Sequence, residues 1–425
     1  MTGRALTVRG MALAAALLLA GGCAAGDGAE DRRKERQPAD QRMSEFVQAD
    51  PGAEHPSKTE TSKPNGRADE SAPVRRSAER DAFEPRGRAG SDAPAIPDDI
   101  RGIYVSGWIA GSKEPMERLI RLVDETDLNA MVIDVKNDYG QLTYRSSLPE
   151  VRAVGADRGA QVRDMAGLLR RLKAKRIYTI GRVVVFKDPL LARAKPEWAF
   201  HTASGALWRD RKGQPWVEPY RPEVRAYNIA IAKEAAALGF DEIQFDYVRF
   251  PDNGEAMDRV VRYRNPEGWT KREAIGRFLR DARSALHATG TALSADVFGL
   301  VTTARDDMGI GQTWREIAPA VDVISPMVYP SHYAGGTYGI RHPDLAPSAV
   351  VRHALDDAGK RNRVLSAEGA SPAKIRPWLQ AFTAAWLRPH QPYRARQIRE
   401  QIRAAEEAGV KQFLLWNPSC TYDYR

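Results

Sequence analysis

Three aspartates sit in or at the end of short apolar runs. Asp134 belongs to Ile133-Asp134-Val135-Lys136-Asn137-Asp138, Asp246 to Ile243-Gln244-Phe245-Asp246-Tyr247-Val248-Arg249, and Asp296 to Leu293-Ser294-Ala295-Asp296-Val297. Side chains alternate along a strand, so Gln244 points with Asp246, and Ser294 with Asp296. A carboxylate pressed unpaired against apolar helices is costly to bury, which places these polar pairs at a solvent-facing mouth. Carboxyls gathered there, without metal-ligand spacing, suit acid–base or nucleophilic chemistry. Glycoside hydrolysis needs that equipment: one carboxyl protonates the leaving oxygen and another attacks or activates water. The residue pattern by itself leaves these parts unassigned among Asp134, Asp246 and Asp296. Lys136 and Arg249 are expected to bind substrate or hold carboxylates. The competing structural reading makes these acids buried partners of Arg182, Lys136 or Arg249.

Aromatic residues extend the pattern. Trp108, Trp208, Trp216, Tyr247, Tyr329, Tyr333 and Trp416 fall in loops or at strand ends. Flat faces there can stack on sugar rings while polar groups such as Gln244 and Asn417 bond hydroxyls. Core packing competes with this reading for each Trp.

Other chemistries lack their residues. The two cysteines rule out a disulfide scaffold and a Cys-built zinc site. The histidines at 55, 201, 287, 332, 342, 353 and 390 show no H-x-H or H-E-x-x-H spacing. Neither a P-loop nor a G-x-G-x-x-G turn occurs. The expectation is therefore an activity with no metal and no cofactor. Residues 101–425 carry 49 basic and 38 acidic residues. No basic helix or RNA-type motif organises that excess, so no nucleic-acid partner is expected.

The elements that must hold the acids are legible. Apolar runs at 102–105, 130–135, 177–185, 242–245, 292–297, 321–328, 375–382 and 412–416 read as eight strands. The seventh is the weakest, because Pro377 interrupts it. Helical patterns fill the gaps at 115–126, 161–173, 222–238, 271–288, 313–318, 347–358 and 393–408. In 222–238, Val224, Tyr227, Ile231, Ala235 and Leu238 form one apolar stripe, with Pro222 in the first turn and Gly239 as the stop. Strand–helix alternation implies parallel strands joined by right-handed crossovers. Eight units specify an α/β fold, a (β/α)8 TIM barrel, over 101–425. A doubly wound open sheet is the alternative; it fits poorly with eight units and no dinucleotide loop.

The preceding residues read differently. Arg4, Arg9 and the apolar run from Met11 to Ala20 make an export signal over 1–23. Ala20-Gly21-Gly22-Cys23 is similar to a bacterial lipobox, which would lipidate Cys23 and associate the chain with a membrane. Ala20 replaces the usual Leu, so a plain secretion signal stands as the alternative. Residues 24–100 hold eight prolines, 13 basic and 17 acidic residues and two aromatics. Such a composition cannot bury enough surface to offset its ordering entropy, and a disordered, extended stalk is expected.

The segment Leu207-Trp208-Arg209-Asp210, Trp216, Glu218-Pro219-Tyr220, then Gly239-Phe240-Asp241-Glu242-Ile243-Gln244-Phe245-Asp246-Tyr247-Val248-Arg249-Phe250-Pro251, resembles the glycoside hydrolase family of the DUF4015 type. Arg101-Gly102-Ile103-Tyr104, Asp134-Val135-Lys136, Ser325-Pro326-Met327-Val328-Tyr329-Pro330, Arg376-Pro377-Trp378-Leu379-Gln380 and Trp416-Asn417-Pro418 fit it too. The resemblance covers 101–425 and implies a TIM barrel related to the amylase-like glycosidases. In those relatives the fourth strand end carries the nucleophile, which corresponds to Asp246. Their fifth-strand Glu acid corresponds to Asp296, and their Arg two residues before the nucleophile corresponds to Gln244. The implied activity is hydrolysis of an extracellular or cell-envelope polysaccharide. The alternatives are a barrel that binds glycan without cleaving it, and an envelope assembly factor.

Overall fold

The computed structural model describes residues 94–252 and 254–424. The expected export signal, Cys23 and the stalk up to residue 93 lie outside the described residues.

Eight parallel strands close into a barrel. They are β1 (Arg101–Val105), β2 (Ala130–Lys136), β3 (Tyr178–Val184), β4 (Glu242–Asp246), β5 (Ala292–Phe298), β6 (Val323–Val328), β7 (Trp378–Gln380) and β8 (Phe413–Trp416). Each pairs with the next, and β8 returns to β1 with Phe413 beside Arg101. The weak seventh strand is the shortest on the mouth side. Lys374–Ile375 pairs with the start of β6, Arg376-Pro377 intervenes, and Trp378–Gln380 then pairs with both β6 and β8. Pro377 has no N–H to give, but its carbonyl still accepts from the Leu414 N–H at 2.9 Å.

The strands are buried on both faces, as a barrel within a ring of helices requires. The main ring helices are α1 (Lys113–Asp124), α2 (Met165–Ala174), α3 (Pro222–Leu238), α4 (Lys271–His287), α5 (Trp314–Ile317), α6 (Pro347–Ala367) and α7 (Ala395–Glu407). Helix α3 runs as its stripe predicts. Val224, Tyr227, Ile231 and Ala235 are buried, Pro222 opens the first turn, and Gly239 ends the helix with φ of 116°. A Thr270–Glu273 capping box starts α4 by satisfying otherwise orphaned N–H groups. Helix α6 runs nine residues past its expected end at 358. Tertiary contacts carry it beyond Gly359: Asn362 accepts from Trp314 Nε1 and donates to the Ala373 carbonyl, and Leu365 is buried.

Long loops leave β3 and β4 at the mouth. Two short antiparallel strands, His201–Thr202 and Val261–Arg262, tie these loops together. Beneath them Phe200 packs against Trp208, Phe250 and Tyr263, and Tyr220 contacts Phe250 and Tyr263. Period-2 and period-3.6 patterns do not reveal this aromatic subcore, because it lies in irregular chain.

Candidate active site

Register brings the polar residues together. Asp134 lies opposite Arg182, Arg182 opposite Gln244, and Gln244 opposite Ser294. One step beyond the pair Phe245–Ala295, Asp246 and Asp296 share a level on adjacent strands, which run about 4.8 Å apart.

Arg182 sits at the centre. Its Nη1 donates to Asp134 Oδ1 at 2.7 Å, while Nε and Nη2 donate to Asp246 Oδ2 at 2.9 and 2.6 Å. The Tyr247 N–H donates to the other Asp246 oxygen at 2.6 Å. Three N–H groups thus donate to the Asp246 oxygens. Tyr247 adopts φ of 49°, an uncommon conformation for a residue with a side chain. That bend brings its N–H onto the preceding carboxylate, where strain of this kind is often tolerated for function.

Asp134 also accepts from the Tyr104 hydroxyl at 2.6 Å. Burial raises its pKa, and Arg182 and Tyr104 oppose that rise. Rings frame the guanidinium: its carbon lies 5.2 Å from the Trp416 ring centroid and 5.7 Å from that of Tyr104.

Asp296 has a different environment. It is buried, and its Oδ1 accepts from Trp378 Nε1 at 2.7 Å. Burial, reinforced by the neighbouring Asp246 charge, holds its pKa well above the usual carboxylate range. Tyr329 is buried beside both acids. Burial first, then the charges of Asp296 and Asp246, disfavour its ionisation. The result is two carboxyls in contrasting surroundings: one receives N–H donors and a guanidinium, and burial makes the other hold its proton more tightly.

The structural reading therefore holds alongside the chemical one for two acids, since Asp134 and Asp246 are both buried partners of Arg182. Gln244 lies fully buried below the acids and donates to Ser325 at 3.3 Å, too deep to meet a chain at the mouth. Still lower, Arg376 pairs with Glu242, which also accepts from Ser294 and Tyr178.

Several expected substrate contacts are placed elsewhere. Lys136 turns away from the mouth, where the register shifts after Asp134. It is fully buried, with Nζ 2.8 Å from Asp188 and 2.7 Å from Asn228 of α3. Arg249 pairs with Asp252 and packs over the rings of Trp216, Tyr247 and Phe298. Trp216 is buried under that guanidinium and donates to Asp210 at 3.0 Å, and Trp208 is buried against Phe200. Neither Trp offers an open face to a sugar. Asn417 spends its amide on the chain end: it donates to the Ala381 and Thr421 carbonyls and accepts from Ser419. Tyr247 and Trp416 do border the acids.

Tyr104, Arg182 and Trp378 carry the site and were not among the expected site residues. Arg182 had a signal: one cation inside the apolar run Tyr178-Thr179-Ile180-Gly181-Arg182-Val183-Val184 must face a partner in the barrel. Among the described residues, no group of three or more His, Cys, Asp or Glu could hold a metal ion.

A closed (β/α)8 barrel with carboxyls converging at the strand ends can supply the two acids that glycoside hydrolysis needs. The chain belongs to the DUF4015 family, described as "Putative glycosyl hydrolase domain", which it matches over residues 102–422. Among solved structures it is similar to the glycoside hydrolase domain of PgaB (BpsB) from Bordetella bronchiseptica. That match has a TM-score of 0.54 at 15% identity and covers 76% of this chain and 94% of that one. It is also similar to a hypothetical protein from Ruminiclostridium thermocellum, at 40% identity over 46% of this chain and 97% of that one, with a TM-score of 0.42. No curated protein matches.

Proposed function

We propose that the protein hydrolyses glycosidic bonds in an extracellular or cell-envelope polysaccharide, with Asp246 and Asp296 as its catalytic pair. The observation that carries this reading is the contrast between them. Burial raises the Asp296 pKa, which favours the protonated form that delivers a proton to the leaving oxygen. Asp246, oriented by Arg182 and the Tyr247 N–H, supplies the carboxylate that attacks or activates water. Asp134 does not meet the reacting bond in this scheme; it shares Arg182 and so sets the position of Asp246. The Arg182–Gln244 register pair supports the scheme further. The cation expected two residues before the fourth-strand carboxylate comes instead from the neighbouring strand, at the same level.

Export and lipidation at Cys23 belong to the same proposal and rest on the basic, apolar and small-residue order of residues 1–23. A Cys23→Ala chain shifting from the membrane to the soluble fraction would support the anchor; unchanged partitioning would remove it.

The catalytic test is Asp246→Asn against a panel of envelope polysaccharides, with release of reducing ends as the readout. The expected loss is at least about a hundredfold, with folding retained by circular dichroism. Equal release by both proteins would refute the role of Asp246.

A further inference from the structure

On the Asp134 side of the site lies a cavity of about 380 Å³, lined by Asp134 and Arg182 but not by Asp246 or Asp296. Its volume is within the range of small-molecule sites, roughly 300–1,000 Å³. Trp108 and Tyr139 line it, and both are open to solvent, at 60% and 47% exposure. Large aromatic faces left open around a concave polar site are suited to a ligand with flat apolar faces and hydroxyl edges.

The backbone under Trp108 is clamped. Trp108 rides on a short helix, Gly107–Ala110, capped by the Ser106 side chain. A Cβ on Gly107 would lie 2.4 Å from Thr143 Cγ2, and one on Gly111 would lie 2.3 Å from the Gln161 carbonyl oxygen. Only glycine permits that approach, so the Trp108 platform is seated directly on the cavity wall. Tyr139 is fixed by its N–H bond to Asn137 Oδ1 at 3.0 Å.

Charge decides what the cavity takes. Neither acid in the lining is left unpaired: Asp134 meets Arg182, which it shares with Asp246, and Asp138 meets Lys187 at 3.0 Å. The remaining polar lining is amides and hydroxyls, including Asn137, Gln141 and Gln161.

We propose that this cavity is a subsite for a pyranose unit of an uncharged glycan chain, with Trp108 as its stacking platform and Tyr139 as the second aromatic contact. The subsite rests on the hydrolase reading for its place next to Arg182, which holds Asp246, but its binding can be measured without turnover. The test is calorimetric titration of the Asp246→Asn protein with hexasaccharides. The uncharged probes are β-1,4-glucan, β-1,4-xylan, α-1,4-glucan and β-1,4-N-acetylglucosamine; the charged probes are galacturonate and glucosamine hexamers. At least one uncharged probe should bind better than both charged ones, and Trp108→Ala should weaken it about tenfold, with Tyr139→Ala weakening it less. Unfolding midpoints of both variants should be unchanged, because both side chains are exposed.

Preference for a charged probe, no binding by any uncharged probe, or equal binding by Trp108→Ala overturns the subsite. If Asp246→Asn abolishes hydrolysis of a polysaccharide while Trp108→Ala leaves KM unchanged, the subsite fails and the hydrolase stands. Binding that depends on Trp108 without any hydrolysis sinks the hydrolase and keeps the subsite.

Discussion

Arg182 grips Asp246 with two N–H groups, Nε at 2.9 Å and Nη2 at 2.6 Å, and both residues are buried. The third arm of the same guanidinium holds Asp134. One cation thus serves two carboxyls from different strands. Its planar fork can do this because its donors diverge at fixed angles, which an ammonium cannot reproduce.

Arg182→Lys should therefore destabilise the fold by about 3–5 kcal/mol, since one of two buried carboxylates loses its partner. Denaturant unfolding measures this. A change below about 1 kcal/mol would show that water or a neighbour replaces the guanidinium.

Under the proposed scheme Asp296 sets the alkaline side of activity. The reaction needs its protonated form, so the rate should fall as pH rises through its raised pKa. Asp296→Asn should lower kcat and remove that limb. The Trp378 N–H lowers the Asp296 pKa, so Trp378→Phe should move the limb to higher pH. The same acid affects stability. Its folded pKa exceeds the unfolded one, so its stabilising contribution is complete below the unfolded value and disappears as pH rises through the folded value. An unchanged pH–rate profile in Asp296→Asn would show that another group is the acid.

Glu218 makes a separate prediction. It is buried where the β3 and β4 loops meet, and its Oε1 accepts the Arg264 N–H at 2.7 Å. Burial raises its pKa to about 7. The folded value again exceeds the unfolded one, so stability should be lost as pH rises through neutrality. Glu218→Gln keeps an acceptor oxygen and removes the ionisation. It should match the parent's unfolding midpoint in acid and exceed it above about pH 7. Parallel midpoints across that span would exclude the effect.

Much of the barrel was legible because its cause is local. Each strand is a short apolar run, and each helix has an apolar stripe or a capping residue within a few positions. Asp134, Asp246 and Asp296 were legible for the same reason, as acids placed where apolar residues should continue. For Trp208 and Trp216 the competing reading, core packing, holds rather than the open platform, because exposure depends on what packs over a ring: here Phe200 for one and Arg249 for the other. Lys136 holds a carboxylate, one of its two expected parts, but it is that of Asp188, because one register shift after Asp134 turned the lysine from the mouth towards α3.

Neighbouring residues specify that strands and helices alternate eightfold, and that acids close the second, fourth and fifth strands. Which groups those acids meet is decided only when the cylinder closes. Arg182 lies 48 residues from Asp134 and 64 from Asp246, and Trp378 lies 82 from Asp296. No periodic pattern spans such separations. These contacts exist because parallel register stacks distant strand ends at one level, and burial there gives chemically equal aspartates different partners and surroundings.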